Sequence, residues 1–396
     1  MWLRSEQVGL ALGAAARAGL RVTGVGTPEA GRAGPLAELI TQRSGQACEA
    51  HDDLRAALSR TTAGVVWLLT PGLLGQSDAG DGAAAEAVRG CAARGVRVAS
   101  LEPLPGSLLG LSAAGGSGGV VREAGGGGGG GDGGGFAQGW CALCPAVRWL
   151  GPMRDAAALL EQFGPVRAAS VRCLGSPVHG SLGARLFEAM DLVHMFVGEP
   201  EVIDAAYVGP SGSALHAAPG ETLSRLGGEM TANGRLPGKA VSVLVSDRVG
   251  ERSVELDLIG AGGRLRVSVA GLVWTDPSGR EVDRSGGLFG AEGAGAERGG
   301  AGRGGARRKR GAPGGPAAGA AGAAGASGAA GAIGASAAAL EELSGAQLAR
   351  LLSDGPGALG GINFSRVLAM AQAAVLSART GEGESPATMR RMAGLA

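Results

Sequence analysis

Residues 63–103 read AGVVWLLTPGLLGQSDAGDGAAAEAVRGCAARGVRVASLEP. Two apolar runs, AGVVWLLTP (63–71) and VRVASLEP (96–103), flank an alanine-rich run that stops on Gly95. The first is apolar at odd and even positions alike, so neither face is left for water. That pattern belongs to a central strand of a parallel sheet, covered on both sides. The run between them, GAAAEAVRGCAARG, has helix-forming composition and a terminal glycine. Strand, helix and strand in this order make a parallel crossover.

Upstream the alternation continues. SEQVGLALGAAARAGL (5–20) reads as a helix with Ser5 as its N-cap, and RVTGVG (21–26) as a short strand. PLAELITQRSG (35–45) is helical with Pro35 in the first turn, and DDLRAALSR (52–60) is a helix capped by Asp52 or Asp53. Residues 1–113 are therefore expected to form a Rossmann-like, doubly wound parallel sheet. Its first strand reads as missing or truncated, because Val8 to Val22 is too short for strand, loop, helix and the next strand.

Downstream, 114–138 is a glycine-rich linker or loop. Residues 139–290 read as an α+β unit with a largely antiparallel open sheet. Within it, SLGARLFEAMDLVHMFVGEP (181–200) carries Leu182, Leu186, Ala189, Met190, Val193 and Val197 at helical spacing, a stripe to be buried. Strands follow at EVIDAAYVG (201–209), KAVSVLVSD (239–247) and RSVELDLIGAGGRLRVSVAGLVWTDPSG (252–279), with hairpin turns at Gly260–Gly263 and Asp276–Gly279. Residues 291–335 are a Gly/Ala/Arg low-complexity segment, and 336–396 are helices expected to pack back on the core.

Composition narrows the function. The chain has 396 residues, 78 of them glycine, so its folded part is smaller than its length implies. A net charge of +1 argues against a globally basic nucleic-acid binder. The RRKR run (Arg307–Arg310) has no aromatics beside it for base stacking and reads as a solvated linker rather than a polyanion site. Five scattered cysteines form no disulfide framework and read as reduced, which points to the cytoplasm. CALC (141–144) has redox or metal spacing but no second pair and no nearby histidine, and reads as ordinary buried thiols. The opening residues lack a signal peptide's cleavage site, and the Ala/Gly tract at 316–340 lacks the Leu, Ile and Phe of a membrane span.

A doubly wound unit whose strand exits at Glu102-Pro103, then DLVHMFVGEP (191–200), LIGAGGRLRV (258–267) and WTDPSG (274–279), resembles the Gfo/Idh/MocA family of NAD(P)-dependent oxidoreductases. The resemblance covers most of the chain outside the two glycine-rich segments. It implies hydride transfer between NAD or NADP and a sugar or cyclitol-like alcohol, and homo-oligomers paired through the open sheet. It places Thr70-Pro71 and Glu102-Pro103 beside the cofactor. In that family a glycine-rich turn after the first strand holds the pyrophosphate, and no G-x-G-x-x-G stands here. The family's strand exit is Glu-Lys-Pro; here Pro103 follows Glu102 directly. Its Asp-x-Gly-x-His falls on Ala184, Leu186 and Glu188. The departures lie on the residues that move protons. Two readings follow: an oxidoreductase using Glu102, His179 and Glu188, or an inactive relative that keeps the cleft for binding or assembly. For Glu188, Asp191 and His194, three residues apart, the alternative to chemistry is a solvated, locally ion-paired helix face. For His179 it is an ordinary surface loop.

Overall fold

The computed structural model describes residues 1–70, 81–114, 141–209, 223, 226–286, 326–354 and 361–395. The glycine-rich run at 115–135, Pro71 and the RRKR run lie outside the described residues.

The first unit runs α1 (Val8–Arg17), β1 (Gly24–Gly26), α2 (Ala33–Ser44), β2 (Glu49–His51), α3 (Leu54–Arg60), β3 (Val65–Leu68), α4 (Asp81–Ala93), β4 (Arg97–Ser100), α5 (Leu108–Ala114) and β5 (Ala142–Leu143). Every strand pair among them is parallel. Asp53 caps α3, its carboxylate accepting from Ala56 N at 2.6 Å. Ser5 does not cap α1. It lies inside a 3-10 turn, Ser5–Gln7, and the residue before that turn is Arg4.

The first strand is not missing: three residues take its place in the sheet. Met1–Leu3 lies between β1 and β3 and joins them. Trp2 N donates to Trp67 O at 2.9 Å and Leu69 N to Trp2 O at 2.8 Å; on the other side Leu3 N donates to Gly26 O and Gly26 N to Met1 O, both at 2.9 Å. The parallel sheet therefore runs β2, β1, Met1–Leu3, β3, β4, β5. β5 lies on the first unit's side of the division read near residue 139.

The second unit holds α6 (Gly151–Phe163), β6 (Val166–Leu174), α7 (Leu182–Phe196) and β7 (Val202–Val208). β8 (Glu229–Leu236), β9 (Lys239–Ser246), β10 (Ser253–Gly260), β11 (Gly263–Ser268), β12 (Gly271–Thr275) and β13 (Glu281–Gly286) follow. They form an eight-stranded sheet in the order β13-β12-β11-β10-β6-β9-β8-β7, antiparallel except for β6–β9. Both expected hairpins are present. β8 carries Asn233 and Gly234, poor strand formers, and gave no strand signal in the sequence. Its alternation of buried and exposed residues, and Pro237-Gly238 before β9, mark it in the structure.

α6 and α7 cover one face of this sheet, with α9 (Phe364–Thr380) along β7. α8 (Ala326–Asp354) packs on α1 in the first unit, and α10 (Pro386–Met392) on α9. α9 ends at Gly381 in the left-handed region, and the chain restarts at Ser385, the cap of α10. The stripe from Leu182 to Val197 is buried as its spacing requires. α7 is not amphipathic, however. Glu188 and Asp191 are buried as well, and His194 is half-buried, because α9 and the turn at Val147–Trp149 pack where solvent was expected.

Candidate functional site between the two units

Open α/β sheets collect ligands beyond the carboxyl ends of their strands. Three segments meet there: the turn after Leu3, Leu69-Thr70 after β3, and Leu101–Pro103 after β4. The facing wall comes from the second unit, residues 175–181 and the first turns of α7.

A phosphate turn directly after Leu3 would place its glycines at 4, 6 and 9. Those positions hold Arg4, Glu6 and Gly9. Gln7, fully buried, fills the turn. Its Nε2 donates to Leu69 O and to Val178 O, each at 2.9 Å. Its Oε1 accepts from Arg4 N at 3.0 Å and from Thr70 Oγ1 at 3.4 Å. One amide thus ties the turn, the end of β3 and the second unit together.

Glu102 crosses the same boundary. It is buried, and its carboxylate accepts from Ser181 N at 2.8 Å and Ser181 Oγ at 2.7 Å. Ser181 is the N-cap of α7, its hydroxyl accepting from Ala184 N at 3.1 Å. Glu102 therefore occupies the electropositive end of that helix, where a carboxylate is stabilised. Burial still pushes its pKa up, opposed by the Ser181 hydrogen bonds and by Arg185. Pro103 is buried beside it.

Glu188 is held by two guanidinium groups. Arg185 Nη1 donates to Oε2 at 2.8 Å, and Arg252 Nη2 donates to Oε1. All three residues are buried, so this is an interior ion triad rather than a solvated face. Burial raises the Glu188 pKa, and Arg185 opposes the rise.

His179 stands half-buried on the loop before α7. Its Nδ1 lies 3.2 Å from Ser176 Oγ, and its carbonyl accepts from Arg252 Nη1 at 3.1 Å. Burial first, then Arg185, lowers its pKa to about 4, so the ring is neutral at pH 7. The structure thus brings Glu102, His179 and Thr70 to one boundary, with Glu188 one turn deeper along α7. Gln7, Ser181, Arg185 and Arg252 complete the network and were not singled out in the sequence. A serine preceding a helix signals Ser181; Arg252 carries no local signal at all.

Further along α7, Asp191 pairs with Arg148 at 3.4 Å while its Oδ1 has no partner. Burial raises its pKa from 3.8 to about 7, against the pull of Arg148. Between those pH values the folded chain holds a proton that the unfolded chain has lost. Stability is expected to fall as pH rises through that window, by at most about 1.4 kcal/mol per pH unit, and to level above it. Asp191→Asn cannot titrate and should remove this slope in urea unfolding followed across the pH series. An unchanged slope would refute the assignment.

Cys141 and Cys144 are buried free thiols flanking β5. Burial pushes Cys141 up to about 12 and Cys144 upward too. Among the described residues no group of His, Cys, Asp or Glu could hold a metal ion, and no helix is long and apolar enough to cross a membrane.

No protein-family model matches the chain, and comparison with curated proteins finds no match. Solved structures do match. An oxidoreductase from Agrobacterium radiobacter, in complex with NAD+, L-tartaric acid and magnesium, is 15% identical over 96% of each chain with a TM-score of 0.55. A levoglucosan dehydrogenase in complex with NADH and levoglucosan is 13% identical over 97% of each chain, TM-score 0.57. A putative myo-inositol dehydrogenase from Sinorhizobium meliloti 1021 is 12% identical over 97% of this chain and 98% of its own, TM-score 0.54. The chain therefore has the fold of NAD-binding oxidoreductases, inositol and levoglucosan dehydrogenases among them.

Proposed function

We propose that the protein is a Gfo/Idh/MocA-type chain that retains the crevice between its units as a binding site and does not run hydride transfer. The observation that carries this reading is Gln7. Its side chain sits in the turn where a dinucleotide's pyrophosphate needs bare backbone, and it hydrogen-bonds across to Leu69 and Val178. Arg4 and Glu6 replace the two glycines that would let phosphate approach, and Glu6 adds negative charge to the first turn. These residues do not fit NAD or NADP. The proton-moving positions are altered in the same direction: no lysine follows Glu102, and Glu188 is committed to two arginines.

A second reading keeps the reaction, with NAD(P) and a sugar or cyclitol-like alcohol as reactants. It is supported by Thr70 and Glu102 at the strand ends and by the NAD+ and NADH bound in the similar structures. Glu102 and the neutral His179 would be its acid–base groups. In either reading we place the protein in the cytoplasm and pair its copies through the open sheet.

Titration with NADH and NADPH separates the two. Cofactor at a hundred times its dissociation constant would stabilise the fold by about 2.7 kcal/mol. The expected result is no rise in melting temperature with either nucleotide. A saturable rise, with nucleotide turnover on a cyclitol or sugar panel, would establish the second reading.

A further inference from the structure

A cavity of about 440 Å³ opens at the start of β1 and β3, at the opposite end of the parallel strands from the crevice. That volume suits a small organic molecule. Its walls are largely apolar: Leu20 and Val22 before β1, Leu54 and Leu58 of α3, and Leu348 and Leu352 of α8. Arg21, Arg60 and the half-buried His51 also line it, with one acid, Glu49. The polar lining therefore favours an anion over a cation.

Two backbone donors enter the cavity from opposite walls. Along a strand, the N–H and C=O of one residue point to the same side, and successive residues alternate. Gly24 O accepts from Met1 N at 2.7 Å, and Trp67 O accepts from Trp2 N at 2.9 Å. The N–H groups of Gly24 and Trp67 therefore point into the same column, one from β1 and one from β3. The outer ladders do not use them. Glu49 N donates to Thr23 O and Arg97 N to Gly64 O, so the alternate residues serve β2 and β4. Neither N–H has an acceptor among the described residues. β1 and β3 stand two strand spacings apart, roughly 9–10 Å, and a carboxylate between them can take one N–H on each oxygen. Glycine is required at 24, because a Cβ there would stand 2.8 Å from His51 Nε2. Unmatched donors at one end of an apolar cavity call for a ligand with an acceptor head and an apolar body.

We propose that this cavity binds an apolar monocarboxylic acid of medium chain length. Its carboxylate bridges Gly24 N–H and Trp67 N–H, and its chain lies against Leu54, Leu58 and Leu352. The site is separate from the crevice, and the proposal stands whichever way the crevice is read.

The test titrates octanoate, 1-octanol and acetate into the full chain by calorimetry. Octanoate is expected to bind at one site, at least about tenfold more tightly than 1-octanol, the worth of hydrogen bonds to a charged head. Acetate has the head without the chain and should bind more than about a hundredfold more weakly than octanoate. Ala57→Phe puts a ring into the cavity from α3 and should weaken octanoate at least about tenfold. A crystal soaked with octanoate should show the carboxylate on the nitrogens of Gly24 and Trp67. Octanol or acetate binding as tightly as octanoate, an Ala57→Phe chain that folds and binds octanoate unchanged, or a carboxylate lodged elsewhere, the crevice included, would each overturn the proposal. If the phenylalanine variant fails to fold, the ligand series on the parent chain and the soaked crystal still decide.

Discussion

Glu188→Ala is expected to lower the unfolding free energy by about 3–5 kcal/mol, the usual consequence of removing one partner from a buried ion pair. The size follows from what remains. Arg185 and Arg252, 2% and 4% exposed, would face each other's charge with no carboxylate between them. Neither guanidinium can shed its proton, so the charge cannot be neutralised by titration. Urea unfolding should show a lower midpoint with an unchanged slope. Replacing all three residues together with Met removes the buried charges along with the acid, and should return much of the loss. A Glu188→Ala protein within about 0.5 kcal/mol of the parent chain would mean that the triad is solvated after all.

Trp2→Ala should cost about 3–5 kcal/mol, the range for deleting a buried aromatic side chain. Trp2 is buried in the three-residue segment that joins β1 to β3, and its backbone carries two of the hydrogen bonds holding that segment to β3. Its indole lies over Gly26, where an added Cβ would stand 2.3 Å from Cζ3 and 2.7 Å from the carbonyl of His51. Gly26→Ala is therefore expected to destabilise by about 1–3 kcal/mol through overpacking. The two changes should not add. With the indole gone, the methyl at residue 26 loses its two nearest clashes and keeps the one with the carbonyl, so Gly26→Ala should cost less in the Trp2→Ala background. Costs that sum to within about 0.5 kcal/mol would show that the ring does not set the need for glycine.

The two halves of the candidate site differ in how readable they were. Glu102 was visible because an apolar strand ended on a lone acid before a proline. His179 stood out only as one of four histidines, near a helix start. Gln7 gave no signal: a glutamine in the first turn of a helix is ordinary until Leu69 and Val178 arrive beside it. Glu188 is legible in the sequence, and its surroundings are not. Its spacing with Asp191 and His194 defines a shared face, but spacing along one helix does not say what packs on that face.

The alternating strands and helices of the first unit, the turns at Gly260–Gly263 and Asp276–Gly279, and the apolar stripe of α7 are legible in the residues alone. These depend on which side of a strand or helix avoids water and on glycines at bends, both of which are written in neighbouring residues. That Met1–Leu3 completes the sheet, and that Glu188 lies between two arginines, one of them 64 residues away, follows from the folded chain alone. A polar group can take many partners, and low-dielectric burial makes the choice matter. Which partner it takes depends on what the folded chain brings within about 3 Å.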